Sequence, residues 1–170
     1  DGTLQRTFLS LGSRRAMTTV ESWMLRAGLD TWVDEVGNVH GRIEGAGCTG
    51  QHVLIFGSHL DTVKDAGKYD GALGIIVGIA ALKALVLDSF TEEAPVPCSL
   101  QLVAFSDEEG VRFSSTFLGS RALVGTLPYT VIKARDEEGH TFLEVLRHNG
   151  LKGTLDSIKT ANISDALSSY

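Results

Sequence analysis

The chain has 170 residues, 43% of them hydrophobic and 21% charged, with a formal net charge of −6. That is long enough for one domain with a buried core, and the composition is that of an ordinary globular protein. The acidic balance and the lack of a Lys/Arg cluster argue against a nucleic-acid partner, because phosphate contacts need clustered basic side chains. The longest apolar stretch, residues 72–87, contains Lys83 and falls short of the ~20 residues a membrane span needs. Cys48 and Cys98 make no Cys-x-x-Cys pair, which argues against a thiolate zinc site. The chain opens at Asp1 and not at Met, so no targeting segment and no compartment can be read from it. Asn162-Ile163-Ser164 is a glycosylation triplet of a kind that arises often by chance.

In chain order, Thr18 with Glu21 reads as a capping box opening a helix that stops at Gly28. Residues 31–36 and 39–43 read as two strands around the turn signal Gly37-Asn38, hence a hairpin. A Gly-rich loop follows over 44–50. Residues 52–58 form a continuous apolar run, the pattern of a strand buried on both faces. Residues 71–87 predict a long core helix, whose Gly74 and Gly78 would allow close packing on a sheet. After an acidic, Pro-containing loop over 89–97, residues 99–105 predict a second buried strand. Residues 116–124 and 141–148 predict two more helices, the latter ended by Gly150, and beyond it the patterning fades. The order predicts an α/β fold, a three-layer sandwich with a mixed, largely parallel central sheet. In such sheets, sites gather just past the carboxyl ends of strands.

Polar clusters follow both predicted buried strands. His59 and Asp61 are two apart and share a side in extended backbone, a spacing that suits a ligand histidine and the carboxylate that orients it. Asp70, at the head of the long helix, suits an N-cap, a ligand carboxylate bridging two cations, or both. Asp107-Glu108-Glu109 repel one another, so the run needs a cation or faces solvent. Paired glutamates also allow one to ligate a metal while its neighbour stays free as a general base. Each cluster taken singly also fits a plain structural role. Together, imidazole and carboxylates at one sheet edge suit zinc or manganese, and a bridging carboxylate sets two ions ~3.5–4 Å apart. Of the other histidines, His40, His52, His140 and His148 are expected to stay off the metals. Arg112 and Arg121 fit either a grip on a substrate carboxylate or a structural pairing, Arg112 with Asp107 or a neighbouring carboxylate.

The segments 57–63, 68–74, 105–113 and 117–121 resemble the M20 metallopeptidase clan, most closely its amidase/hydantoinase/carbamoylase branch. The opening residues 1–7 and the segment 37–42 fit that branch too. Within it, the string from Asp107 to Phe113 is most similar to plant-type allantoate amidohydrolases. The resemblance implies that His59, Asp70 and Glu109 are metal ligands, with Asp70 bridging. It makes Asp61 and Glu108 the catalytic pair, Asp61 orienting His59 and Glu108 acting as general base. It implies two divalent ions, Mn2+ ahead of Zn2+, and a small ureide substrate whose C–N bond is hydrolysed. N-Carbamoyl-L-amino-acid and ureidoglycolate amidohydrolases are alternatives. A non-catalytic metal-binding domain is another, against which a free Glu108 argues. Relatives of this kind take two further histidines, one from a Glu-Leu-His-Ile-Glu-Gln-Gly-like segment and one near the C-terminus, and neither segment occurs in these residues. Residues 1–170 are therefore expected to be part of a catalytic domain, with its C-terminal part and a dimerisation domain missing. The full-length protein is expected to be a homodimer, in the endoplasmic reticulum if plant-type and otherwise cytoplasmic. This piece alone is expected to be inactive.

Overall fold

The computed structural model describes residues 3–45, 53–88 and 98–163. Cys48, His52, residues 46–50, the loop expected over 89–97 and Ser164 of the glycosylation triplet lie outside the described residues.

The first helix, α1 (Leu11–Arg26), begins where Ser10 accepts the Ser13 amide at 3.2 Å. The predicted capping box lies inside it, because Thr18 and Thr19 turn their hydroxyls back onto the carbonyls of Arg14 and Arg15. A helix-interior threonine satisfies its hydroxyl in this way, so the Thr-x-x-Glu spacing did not mark the start. The hairpin forms as expected, from β1 (Asp30–Val33) and β2 (Val39–Ile43), with Val33 opposite Val39. β1 is shorter than predicted. The Asp34 carboxylate accepts the amides of Val36 and Asn38 and bends the chain into the turn.

β3 (Val53–His59) and β4 (Ser99–Phe105) lie parallel, whereas β2 pairs antiparallel with both β1 and β4. The sheet order is β1-β2-β4-β3, so the α/β fold has the expected mixed sheet, with its parallel pairing confined to β3–β4. β4 is central and buried along most of its length, as its apolar run predicts. β3 differs: it forms an edge of the described sheet, and Leu54 is 59% exposed. A continuous apolar run does not say whether a neighbour covers the second face.

α2 (Ala72–Asp88) connects β3 to β4 and packs on the sheet beside α1. Its Ile75, Ile79 and Leu82 join Val20 and Met24 of α1 and Val39, Leu102 and Ala104 of the sheet in one core. Gly78 makes that approach possible, since a Cβ there would lie 2.7 Å from Leu102 Cδ1. Only this inner face is buried; Leu73, Ile76, Val77 and Leu87 are exposed. A second core gathers Phe8, Leu9 and Val36 with side chains from α3 (Leu118–Leu123), α4 (Tyr129–Lys133), α5 (Phe142–His148) and α6 (Leu155–Lys159). α5 starts at a full capping box between Thr141 and Glu144. α4 and α6, five residues each, are too short to show helical periodicity and escape the sequence reading.

Candidate metal centre

Because β3 and β4 are parallel and in register, with His59 opposite Phe105, their carboxyl ends open onto the same edge of the sheet. The chain leaving β3 is strapped down by the N-terminal segment. Arg6 donates its amide to Thr62 Oγ1 at 2.8 Å and its Nε to the Leu60 carbonyl at 3.0 Å, and the Thr62 amide returns to Arg6 O at 3.1 Å. Arg6 and Thr62 were not among the expected site residues; no ligand or base chemistry marks them in sequence.

His59 Nδ1 lies 3.0 Å from the main-chain carbonyl of Asp61. A carbonyl can only accept, so Nδ1 carries a proton, which leaves Nε2 as the nitrogen that can offer a lone pair to a metal. Nε2 is 3.4 Å from Asp70 Oδ1 and 4.0 Å from Glu108 Oε2. Asp70 reaches this position from the turn that leads into α2. One ligand atom each from His59, Asp70 and Glu109 lies within 4.8 Å of the others. All three expected ligands thus converge, and Glu108 stands beside them, its side chain about a third exposed.

Asp61 departs from expectation. Its carboxylate, 3% exposed, does not close a bond to His59, since Oδ1 stays 3.8 Å from Nδ1. It accepts the amide of Glu108 on Oδ1 at 2.9 Å and that of Glu109 on Oδ2 at 3.0 Å. The acidic run splits by residue. Asp107 turns inward and is buried, and among the described residues neither of its carboxyl oxygens has a well-formed hydrogen bond, the Gly110 amide being the group that approaches it. Burial first, then the Asp61 charge, push its pKa up to about 8, offset in part by Arg112 and the Gly110 amide. Glu108 and Glu109 turn outward. Burial, then the Asp70 and Glu108 charges, and to a lesser degree Asp61, raise the Glu109 pKa against the pull of His59. A cation fits this donor set: it would offset the neighbouring carboxylate charges that, after burial, raise the Glu109 pKa, and it would meet Nε2 of His59.

The arginines part company. Arg112 points away from this cluster. Its Nε and Nη2 each lie 2.9 Å from Asp136 Oδ2, and Nη1 donates to Phe8 O at 2.8 Å. The carboxylate it pairs with is Asp136, and Asp107 is left without such a bond. Arg121 sits in α3, and among the described residues its side chain makes no ion pair. Ser120 and Phe117 beside it line a cavity of about 290 Å3 with Ser58, His59, Phe105 and Glu108. His40 is buried elsewhere, between Asp34 and Gln101 and stacked on Trp32. His140 meets His148 edge-on, in a second group of possible ligands with Asp136 and Glu138. There Asp136 is already committed to Arg112 and to the amides of Glu138 and His140.

Residues 38–135, more than half of the chain, match the model of peptidase family M28. The chain belongs to that family. Among curated relatives, a probable allantoate deiminase of Oryza sativa subsp. japonica is 48% identical over 171 residues, covering 100% of this chain and 34% of its own length. The allantoate deiminase of Arabidopsis thaliana is 50% identical over 155 residues, covering 91% of this chain and 29% of its own. The structure of a hydantoinase/carbamoylase family amidase from Burkholderia ambifaria superposes with a TM-score of 0.79 at 32% identity, over 90% of this chain and 36% of that one. The M28 chain described here thus spans about a third of the length of these relatives. They carry the branch read from the motifs, amidohydrolases acting on C–N bonds.

Proposed function

We propose that this M28 chain is part of the catalytic domain of a two-metal amidohydrolase that hydrolyses the ureido C–N bond of allantoate, giving ureidoglycine, carbon dioxide and ammonia. The observation that carries the reading is the convergence of His59, Asp70 and Glu109 with Glu108 left free beside them. The names of the rice and Arabidopsis relatives support the substrate. In this reading His59 would hold one ion, Glu109 the other, and Asp70 both. The bound ions, manganese or zinc by their donor chemistry, would polarise the ureido carbonyl. Glu108 takes a proton from the attacking water as its oxygen adds to the carbonyl carbon, then returns that proton to the departing nitrogen. The carbamate released on C–N cleavage breaks down to carbon dioxide and ammonia. Arg121, next in sequence to Ser120 of the cavity that Glu108 also lines, is in this reading the group that meets the substrate carboxylate. The likeness to the Burkholderia amidase, of the hydantoinase/carbamoylase family, favours a second reading, a carbamoyl amino acid as substrate. Either way the full-length protein is read as a homodimer.

Two ions that share one carboxylate call for about four donors each. The described cluster supplies three residues. The 170-residue chain alone is therefore expected to bind metal but to turn over little or no allantoate. Titration calorimetry with Mn2+ and Zn2+ tests the centre: saturable binding is expected, and it should be lost in His59→Ala and Glu109→Ala. Binding that ignores both substitutions would sink the proposal. In a protein of the relatives' length, Glu108→Gln should keep metal and lower the rate by roughly 10²–10⁴-fold. Hydrolysis of carbamoyl amino acids but not allantoate would decide for the second reading.

A further inference from the structure

We infer that the Asp61 side chain serves the centre as a positioning residue for the Glu108–Glu109 pair, acting on their main chain, while the orientation of His59 is set by the Asp61 backbone carbonyl. The inference rests on the reading of Glu108 and Glu109 as base and ligand. It assigns Asp61 a different task from the one its spacing to His59 suggests.

The local backbone shows why. Asp107 takes φ +48, in the left-handed region that few residues with a side chain adopt and that Asp adopts more readily than most. That twist brings the next two amides, of Glu108 and Glu109, to bear on a single carboxylate, and each reaches its own oxygen of Asp61. Consecutive N–H groups converging on one anion make a nest. Here the anion is Asp61, supplied from the end of the neighbouring strand and 3% exposed. The carbonyls of the same loop run the other way. Ser106, Asp107 and Glu108 accept the amides of Gly119, Leu118 and Phe117. The glutamate pair is therefore held between α3 on one side and Asp61 on the other. His59 needs nothing from that carboxylate, because its Nδ1 proton is already taken by the Asp61 carbonyl at 3.0 Å, against 3.8 Å to Oδ1. The two tasks thus separate within one residue: main chain to the histidine, side chain to the glutamates.

Asp61→Asn separates them experimentally. The carboxamide keeps the size and offers one acceptor, but its NH2 must face one of the two amides, donor against donor. Amide hydrogen exchange followed by NMR on the whole chain should show Glu108 and Glu109 protected in the wild type. In the variant these two should exchange at least about tenfold faster, while β4 amides keep their protection. A general loss of stability would instead speed exchange across β4 as well. The 15N signals of the His59 ring should keep the Nδ1-protonated pattern. Mn2+ affinity should fall about 10–100-fold, the range for outer groups that orient ligands. A change of His59 tautomer in Asp61→Asn, or rapid exchange of the Glu108 and Glu109 amides in the wild type, overturns the inference. The wild-type measurement stands even if the variant fails to fold. Neither exchange nor ring signals need a bound ion, so absence of metal binding in the wild type would strike the proposed function alone.

Discussion

Gly71 shows how little room the centre leaves. Its φ is +69, and a Cβ there would lie 2.6 Å from both Cε1 and Nδ1 of the His59 ring. Gly71→Ala is expected to push the imidazole off its carbonyl and weaken Mn2+ binding by about tenfold or more, which calorimetry would read directly. No ligand chemistry marks Gly71 in sequence; only its place after Asp70 hints at a role. Asp107 is a second residue whose behaviour follows from place and not type. Its folded-state pKa of about 8 lies far above its ordinary value of 3.8. Across that window the unfolded chain has released the proton while the folded chain retains it, so this residue's contribution to stability declines as pH rises from about 4 to 8 and levels off above. Asp107→Asn removes the titration. In EDTA-treated protein, the melting temperature of the variant relative to wild type should rise between pH 5 and pH 8, and an offset that stays constant over that range would refute the burial argument. Three adjacent carboxylates in sequence predict repulsion; they do not predict that one turns inward and two outward.

At the scale of elements, the hairpin turn reaches further than its length suggests. Asn38 is fully buried, and its Nδ2 donates to Asp34 Oδ2 at 2.8 Å and to Gly119 O at 3.1 Å. Its Oδ1 accepts the Ser106 amide at 2.9 Å, while the Ser106 hydroxyl donates to Val36 O at 2.8 Å. One carboxamide therefore joins the β1–β2 turn, the end of β4 and the start of α3. Asn38→Ala leaves the Ser106 amide and the Gly119 carbonyl buried without that partner, at a cost of roughly 3 kcal/mol or more. Urea unfolding should show the loss, and a change under about 1 kcal/mol would contradict the hub. The sequence marked Gly37-Asn38 as a turn, which is correct, but a turn signal carries no information about contacts 68 and 81 positions away. The same limit explains the other differences. β4, α2 and α5 were legible because apolar run, small-residue spacing and a terminating glycine all act locally. The exposed side of β3 depends on what pairs beyond it, the true start of α1 on a serine eight residues before the threonine that resembled a cap. For the proposed centre, the convergence of His59, Asp70 and Glu109 was legible because ligand chemistry restricts residue type and sheet topology restricts place. The carboxylate of Asp61 was not, because two backbone amides compete for it and amides have no signature in sequence.

For the whole molecule, the decisive feature is that the centre lies where two cores meet. His59 and Asp61 leave the strand side, where Leu60, Ile75 and Leu102 belong to the core shared by sheet, α1 and α2. Glu108 and Glu109 lie between β4 and Phe113, whose ring belongs to the second core with Phe8, Leu118 and Phe142. Phe142 is completely buried, stacked on Phe8 at 5.6 Å and edge-on to Phe113 at 5.5 Å. It therefore ties α5 both to the segment that leads into α1 and to the segment that follows the paired glutamates. Phe142→Ala should cost about 3–5 kcal/mol in lost burial and residual cavity, a large part of the 5–15 kcal/mol that keeps a domain folded. If the cores unfold together, one cooperative transition should move to lower temperature with every probe. If they are separable, the second core should loosen first. Near-UV signals of the Phe8–Phe113 pair that remains in the variant, and Mn2+ affinity, would then fall at temperatures where β4 amides remain protected. The second outcome is expected, because the described contacts between the cores run through single residues such as Asn38, Ser106 and Met17, whereas each core is contiguous within itself. Coincident loss of metal binding and β4 protection would show that the two cores form one unit, and that the glutamate pair is as stable as the sheet from which it emerges.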